Sequence, residues 1–138
     1  MNEHQKSIEQ YSKAIEFNPS FADIYNNRGN AYTRIDKNEE ALKDYAKAIE
    51  IAPMYVCPRI SRGRLYRNLG DYQKSLEDFN YLIKIAPNYY SAYHGGGVTY
   101  RAMGEYQKAI DDFSLIIKSD ENNLEYYQRE RLYFVFCE

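Results

Sequence analysis

Three prolines, Pro19, Pro53 and Pro87, stand 34 residues apart, and much else keeps the same step. Gly29, Gly63 and Gly97 follow it, as do Tyr32, Tyr66 and Tyr100 and the aromatics Tyr11, Tyr45, Phe79 and Phe113. A fixed period of that length means stacked repeats, not one globule around a catalytic centre. The functional question therefore moves from which reaction to which surface. An apolar fraction of 44% with a mean hydropathy of −0.74 gives a thin core and a wet exterior. That balance suits an elongated array in which each unit touches only its neighbours.

Within one period, Ile24, Tyr25, Arg28, Ala31, Tyr32 and Ile35 recur at spacings of three and four, the stripe of an amphipathic helix. Asp36-Lys37-Asn38 interrupts it, a second stripe runs from Ala41 through Tyr45 to Ala52, and Pro53 stops it. The predicted unit is helix, short turn, helix, proline, and so short a connection forces the pair antiparallel. The next units copy it, with helices predicted over 59–69 and 72–85, then 89–103 and 106–118. Gly70 and Gly104 are expected to end helices in the left-handed conformation. Pro58 disfavours the helical conformation at Cys57, so its helix is expected to start at the proline. Ser119-Asp120-Glu121-Asn122-Asn123 takes the place of the next proline, and residues 124–136 read as one more first helix.

Gly29, Gly63 and Gly97 fall inside first helices, where each costs about 1 kcal/mol relative to Ala. A cost repeated in register indicates a close helix crossing. Ala41, Ser75 and Ala109 take the matching places on second helices, with Tyr45, Phe79 and Phe113 wedged one turn later.

These residues resemble the tetratricopeptide repeat. The unit from Ala22 carries the pattern through Tyr25, Gly29, Tyr32, Ala41, Tyr45, Ala48 and Pro53. The unit from Val56 keeps Gly63, Tyr66, Phe79 and Pro87 but has Arg59 and Leu82 at two pattern places; that from Tyr90 keeps Tyr93, Gly97, Tyr100, Ala109 and Phe113. The seventh place, often Leu in the family, holds Arg28, Arg62 and Gly96. The resemblance implies an all-α, right-handed superhelical solenoid of antiparallel helix pairs, one array over residues 1–138. Full repeats would span 22–55, 56–89 and 90–123, flanked by a half repeat at 1–21 (second helix only) and another at 124–138 (first helix only).

It also implies a concave groove, lined by first helices, that holds a peptide or helix of a partner protein. By register the groove takes Asn26, Asn27, Asn30 and Arg34, then Cys57, Ile60, Ser61, Arg64 and Arg67, then Ser91, His94, Gly95 and Arg101. Asn side chains offer donor and acceptor to a peptide backbone. Arginine forks suit carboxylates, and a concave surface sharpens their field. The expected function is a protein–protein interaction module for a segment carrying acidic residues or a free C-terminus. Taken singly, each of these residues reads as a solvated polar side chain; their joint placement makes the argument. The family's carboxylate clamp for chaperone C-termini is not expected, because its places hold Asn26, Asn30, Ser61, Ser91 and Gly95, of which only Asn30 fits.

The alternative is a structural or self-assembly segment, or a piece of a larger array, working through uncapped ends. Leu132, Phe134, Val135 and Phe136 would form the associating surface, since terminal repeats normally present a polar outer face.

Other classes find little material. A net charge of −2 and a pI near 5.8 provide no global attraction for nucleic acid or anionic membrane. Cys57 and Cys137 have no metal-ligand spacing and read as reduced thiols of a cytoplasmic protein. The chain opens on polar residues, without a secretory signal, and no apolar run approaches the roughly 20 residues of a membrane span. His94-Gly95-Gly96-Gly97 copies the oxyanion loop of some esterases, but no Gly-x-Ser-x-Gly elbow accompanies it. Those glycines fall in a repeat helix, where Gly95 and Gly96 together cost about 2 kcal/mol. No catalysis, cofactor or metal is expected.

Overall fold

A computed structural model of the chain describes residues 2–122, and every regular element among them is an α-helix. The helices are α1 (Glu3–Phe17), α2 (Ala22–Arg34), α3 (Asn38–Ile51), α4 (Val56–Asn68), α5 (Tyr72–Ile85), α6 (Tyr90–Ala102) and α7 (Tyr106–Asn122). The expected half repeat at 124–138, with Leu132, Phe134, Val135 and Phe136, lies outside the described residues. None of the described helices is long and apolar enough to cross a membrane.

Local chemistry sets these boundaries. Asn2 caps α1, its side-chain oxygen accepting from the Gln5 N–H at 2.8 Å, and Asp71 does the same for Lys74 ahead of α5; both satisfy an orphan donor of a first turn. The turns inside helix pairs need a left-handed residue. Gly70 and Gly104 supply it at φ 82° and 78°, and Asp36 takes the equivalent place at φ 59°.

Two boundaries differ from expectation. Helix α4 begins at Val56, ahead of Pro58. The proline sits in the first turn, where an N–H would have no helical partner, so its missing donor costs nothing. Helix α7 runs on to Asn122, because nothing in Ser119-Asp120-Glu121-Asn122 removes a backbone donor as proline would. A third difference lies at Cys57, which is disulfide-bonded rather than a free thiol.

The chain forms two compact units, Met1–Ser61 and Arg62–Glu138. In the first, α2 packs against both α1 and α3, around Ala22, Tyr25 and Ala48 with Ile15, Ile51 and Tyr55 against them. In the second, α6 packs against both α5 and α7, with Phe79, Leu82 and Ala92 buried.

The recurrent glycines mark close crossings, as their spacing indicated. A Cβ on Gly29 would lie 2.8 Å from the Tyr45 ring, and one on Gly97 would lie 2.7 Å from Phe113. Gly63 faces Phe79 at 3.0 Å. The seventh-place arginines are structural too. Arg28 forks onto Asp44 with bonds of 2.7 and 2.8 Å, and Arg62 onto Asp78 with bonds of 2.9 and 2.7 Å. Each joins the first helix of its pair to the second.

Candidate functional site

The second unit contains a cavity of about 340 Å³ lined by Arg64, Arg67, Phe79, His94, Gly95, Val98, Arg101 and Phe113. Helical spacing assembles it. Arg64 and Arg67 are one turn apart on α4, while His94, Val98 and Arg101 follow one face of α6, where residues three and four apart are neighbours. The aromatic wall comes from second helices, Phe79 on α5 and Phe113 on α7. Gly95 makes the shape of this wall, since a Cβ there would collide with the Phe79 ring. The extra glycine of the three-glycine run is therefore a close-approach residue, and its helix-weakening effect is offset by that packing.

The electrostatics are those of clustered positive charge. Burial, then the neighbouring guanidinium groups of Arg64 and Arg101, push Arg67 below its ordinary value. Burial followed by Arg67, Arg64 and Arg101 pushes His94 down, so its imidazole is neutral at pH 7. The ring stands 6.0 Å from Phe113, tilted by 54°. Four nitrogen-bearing side chains thus share one field, held together against mutual repulsion by the fold.

Several groove residues expected from register are placed elsewhere. Asn26 is buried, at 1% exposure. Its side chain bonds Tyr55, which burial and hydrogen bonding to Asp23 push up. Asn30 accepts from the Tyr45 hydroxyl at 2.8 Å, so of the three asparagines only Asn27 is fully outward, alongside exposed Arg34. Cys57, Ile60, Ser61 and Ser91 are buried as well. For Asn26 the covering side chain is Tyr55. Phe79 and Phe113 were legible in the sequence only as packing aromatics. Their second role follows from standing one turn beyond Ser75 and Ala109, where Phe79 meets Gly95 and Phe113 meets Gly97 of α6. Among the described residues, no group of three or more His, Cys, Asp or Glu could hold a metal ion.

Comparisons with known proteins agree on the architecture. A model described as TPR repeat matches residues 1–36. Others described as tetratricopeptide repeat match 22–55, 60–89 and 90–123. No curated protein matches the chain. Among solved structures, the crystal structure of MamA protein aligns with a TM-score of 0.79 at 24% identity, covering 89% of this chain and 67% of that one. A tetratricopeptide repeat protein from Parabacteroides merdae aligns at 0.78 and 23% identity, covering 97% of this chain and 52% of that one. A thermophilic TPR protein in Thermus thermophilus aligns at 0.73 and 16% identity, covering 93% and 71%. The shared fold is an all-α solenoid of helix pairs.

Proposed function

The chain belongs to the tetratricopeptide repeat family, and we propose that it is a non-catalytic module that takes an acidic segment of a partner protein into the Arg64–Arg67–Arg101 pocket. The observation that carries this reading is the convergence of three arginines and a neutral His94 on one cavity. A side-chain carboxylate or a free C-terminus has the charge and bidentate geometry to match. In the first unit, Asn27, Asn30 and Arg34 form a separate polar face in the same reading, with Asn26 set aside by its burial. In this reading the partner is a polypeptide, and a net charge of −2 provides no global attraction for nucleic acid or anionic membrane. A cytoplasmic location belongs to this reading and requires Cys57 to be reduced there.

The test is binding of a Glu-rich peptide with a free C-terminus, measured at several salt concentrations. Replacing Arg64, Arg67 and Arg101 with Ala should weaken it by about tenfold or more per arginine, the scale of hydrogen bonds to charged groups, and flatten its salt dependence. An unchanged affinity in a folded triple variant contradicts the proposal.

A second reading, self-association, is favoured by one observation. Tyr106, Ile110, Leu115 and Ile117 of α7 are exposed at 66, 56, 43 and 62%, whereas Leu76, which matches Ile110 one repeat earlier, is buried. Leu132, Phe134, Val135 and Phe136 belong to the same proposal. Light scattering over a concentration range tests it: a mass that rises with concentration and returns to monomer in Ile110→Lys/Ile117→Lys supports it, and a constant monomer mass removes it.

A further inference from the structure

The two Arg–Asp forks have a third, incomplete copy. Asp44, Asp78 and Asp112 stand 34 residues apart on second helices, and Arg28, Arg62 and Gly96 stand 34 apart on first helices. Where the first two copies place a guanidinium, the third has only a hydrogen atom. The carboxylate has closed in on the vacant side: a Cβ on Gly96 would lie 2.9 Å from Asp112 Oδ2, so Asp112 leans over the glycine toward the place from which its cation would come. The aromatic surroundings persist as well. The Arg28 guanidinium lies over the Tyr25 and Tyr32 rings at 5.9 and 5.6 Å, and that of Arg62 over Tyr66 at 6.0 Å. In the third copy Tyr93 and Tyr100 hold the places of Tyr25 and Tyr32.

Burial reports the missing group. Asp44 and Asp78 are 5 and 3% exposed beneath their arginines, whereas Asp112 is only half-buried. Its carboxyl is pushed up to about 6, by burial first and by Asp111 second, and Tyr93 is pushed up by burial and then by the charge on Asp112. Among the described residues no cation is placed on it.

We propose that the Gly96–Asp112 notch, flanked by Tyr93 and Tyr100, is a binding site for the guanidinium group of an arginine supplied by a partner polypeptide. The incoming group would reproduce the fork that Arg28 and Arg62 make internally, with two N–H donors on one carboxylate and the cation against tyrosine faces. Arginine is favoured over lysine because the two internal copies are side-on forks, which a point-like ammonium cannot make. This site is independent of the arginine pocket and has the opposite charge preference.

The experiment is an NMR titration of the full chain with Nα-acetyl-arginine amide, following the Asp112 carboxyl carbon and the Tyr93 ring. A saturable response is expected, together with a fall in the pH at which Asp112 titrates. Asp112→Asn should weaken the response by about tenfold or more, as expected for hydrogen bonds to a charged group. Gly96→Arg should abolish it by filling the notch from within; if that variant does not fold, the Asp112→Asn comparison still decides. Equal responses to Nα-acetyl-lysine amide or to sodium chloride at matched ionic strength would overturn the proposal. So would an Asp112 that titrates well below the ordinary carboxylate range in the untreated chain and moves up on Arg129→Gln or Arg131→Gln, since the chain would then fill its own site.

Discussion

Asp36 holds a conformation that its counterparts Gly70 and Gly104 adopt without a Cβ, at φ 59° against 82° and 78°. Left-handed geometry costs an L-residue about 1–2 kcal/mol, part of which an aspartate recovers through local hydrogen bonding. Asp36→Gly is therefore expected to stabilise the chain by about 0.5–1 kcal/mol after the added flexibility of the unfolded state is counted, measurable by urea unfolding. Asp112 gives a second residue-level expectation. Its folded carboxyl titrates near 6 against an ordinary 3.8, so the folded chain holds this proton more tightly than the unfolded chain. The resulting stability is complete below about pH 4 and is lost as pH rises through about 6. The bare shift would correspond to about 3 kcal/mol, but screening of this half-exposed group reduces it to about 1 kcal/mol. Asp112→Asn should flatten the stability profile between about pH 4 and 7 and raise stability at pH 7; an unchanged slope would show that other groups set it.

Helix α5 supplies the aromatic on which both neighbouring first helices close. Hypothetical Cβ atoms on Gly63 of α4 and Gly95 of α6 would both meet Phe79, and the ring also lines the pocket. Phe79→Ala should destabilise the second unit by about 3–5 kcal/mol, as for a fully buried phenylalanine. It should also raise amide exchange in α6 before α7; equal loosening of both helices would mean that Phe79 is not the local keystone. At this scale much was legible in the sequence. The 34-residue step located the helix pairs, the helix-ending glycines and the close crossings, because each depends on residues in one chain segment or its immediate repeat. The start of α4 was missed because Pro58 is tolerated in a first turn, and the end of α7 because proline is absent there. Burial of Asn26, Ile60 and Ser61 was missed for a different reason. Register fixes the direction a residue faces, but not the size of what stands opposite.

For the molecule as a whole, the arginine pocket was legible as a basic strip through Arg64, Arg67 and Arg101, while its aromatic wall and the notch at Asp112 emerged only from three-dimensional placement. This pocket is proposed to receive a carboxylate. His94 reports on it directly, because burial and the three guanidinium groups hold its imidazole below the ordinary 6.5, and a bound anion would offset that repulsion. The decisive measurement is an NMR pH titration of His94 in the free chain and in the chain saturated with a Glu-rich peptide bearing a free C-terminus. A pKa below 6.5 is expected in the free chain and a rise on binding, with affinity for the peptide increasing as pH falls through that range. A His94 pKa that stays in place while the peptide binds would contradict it.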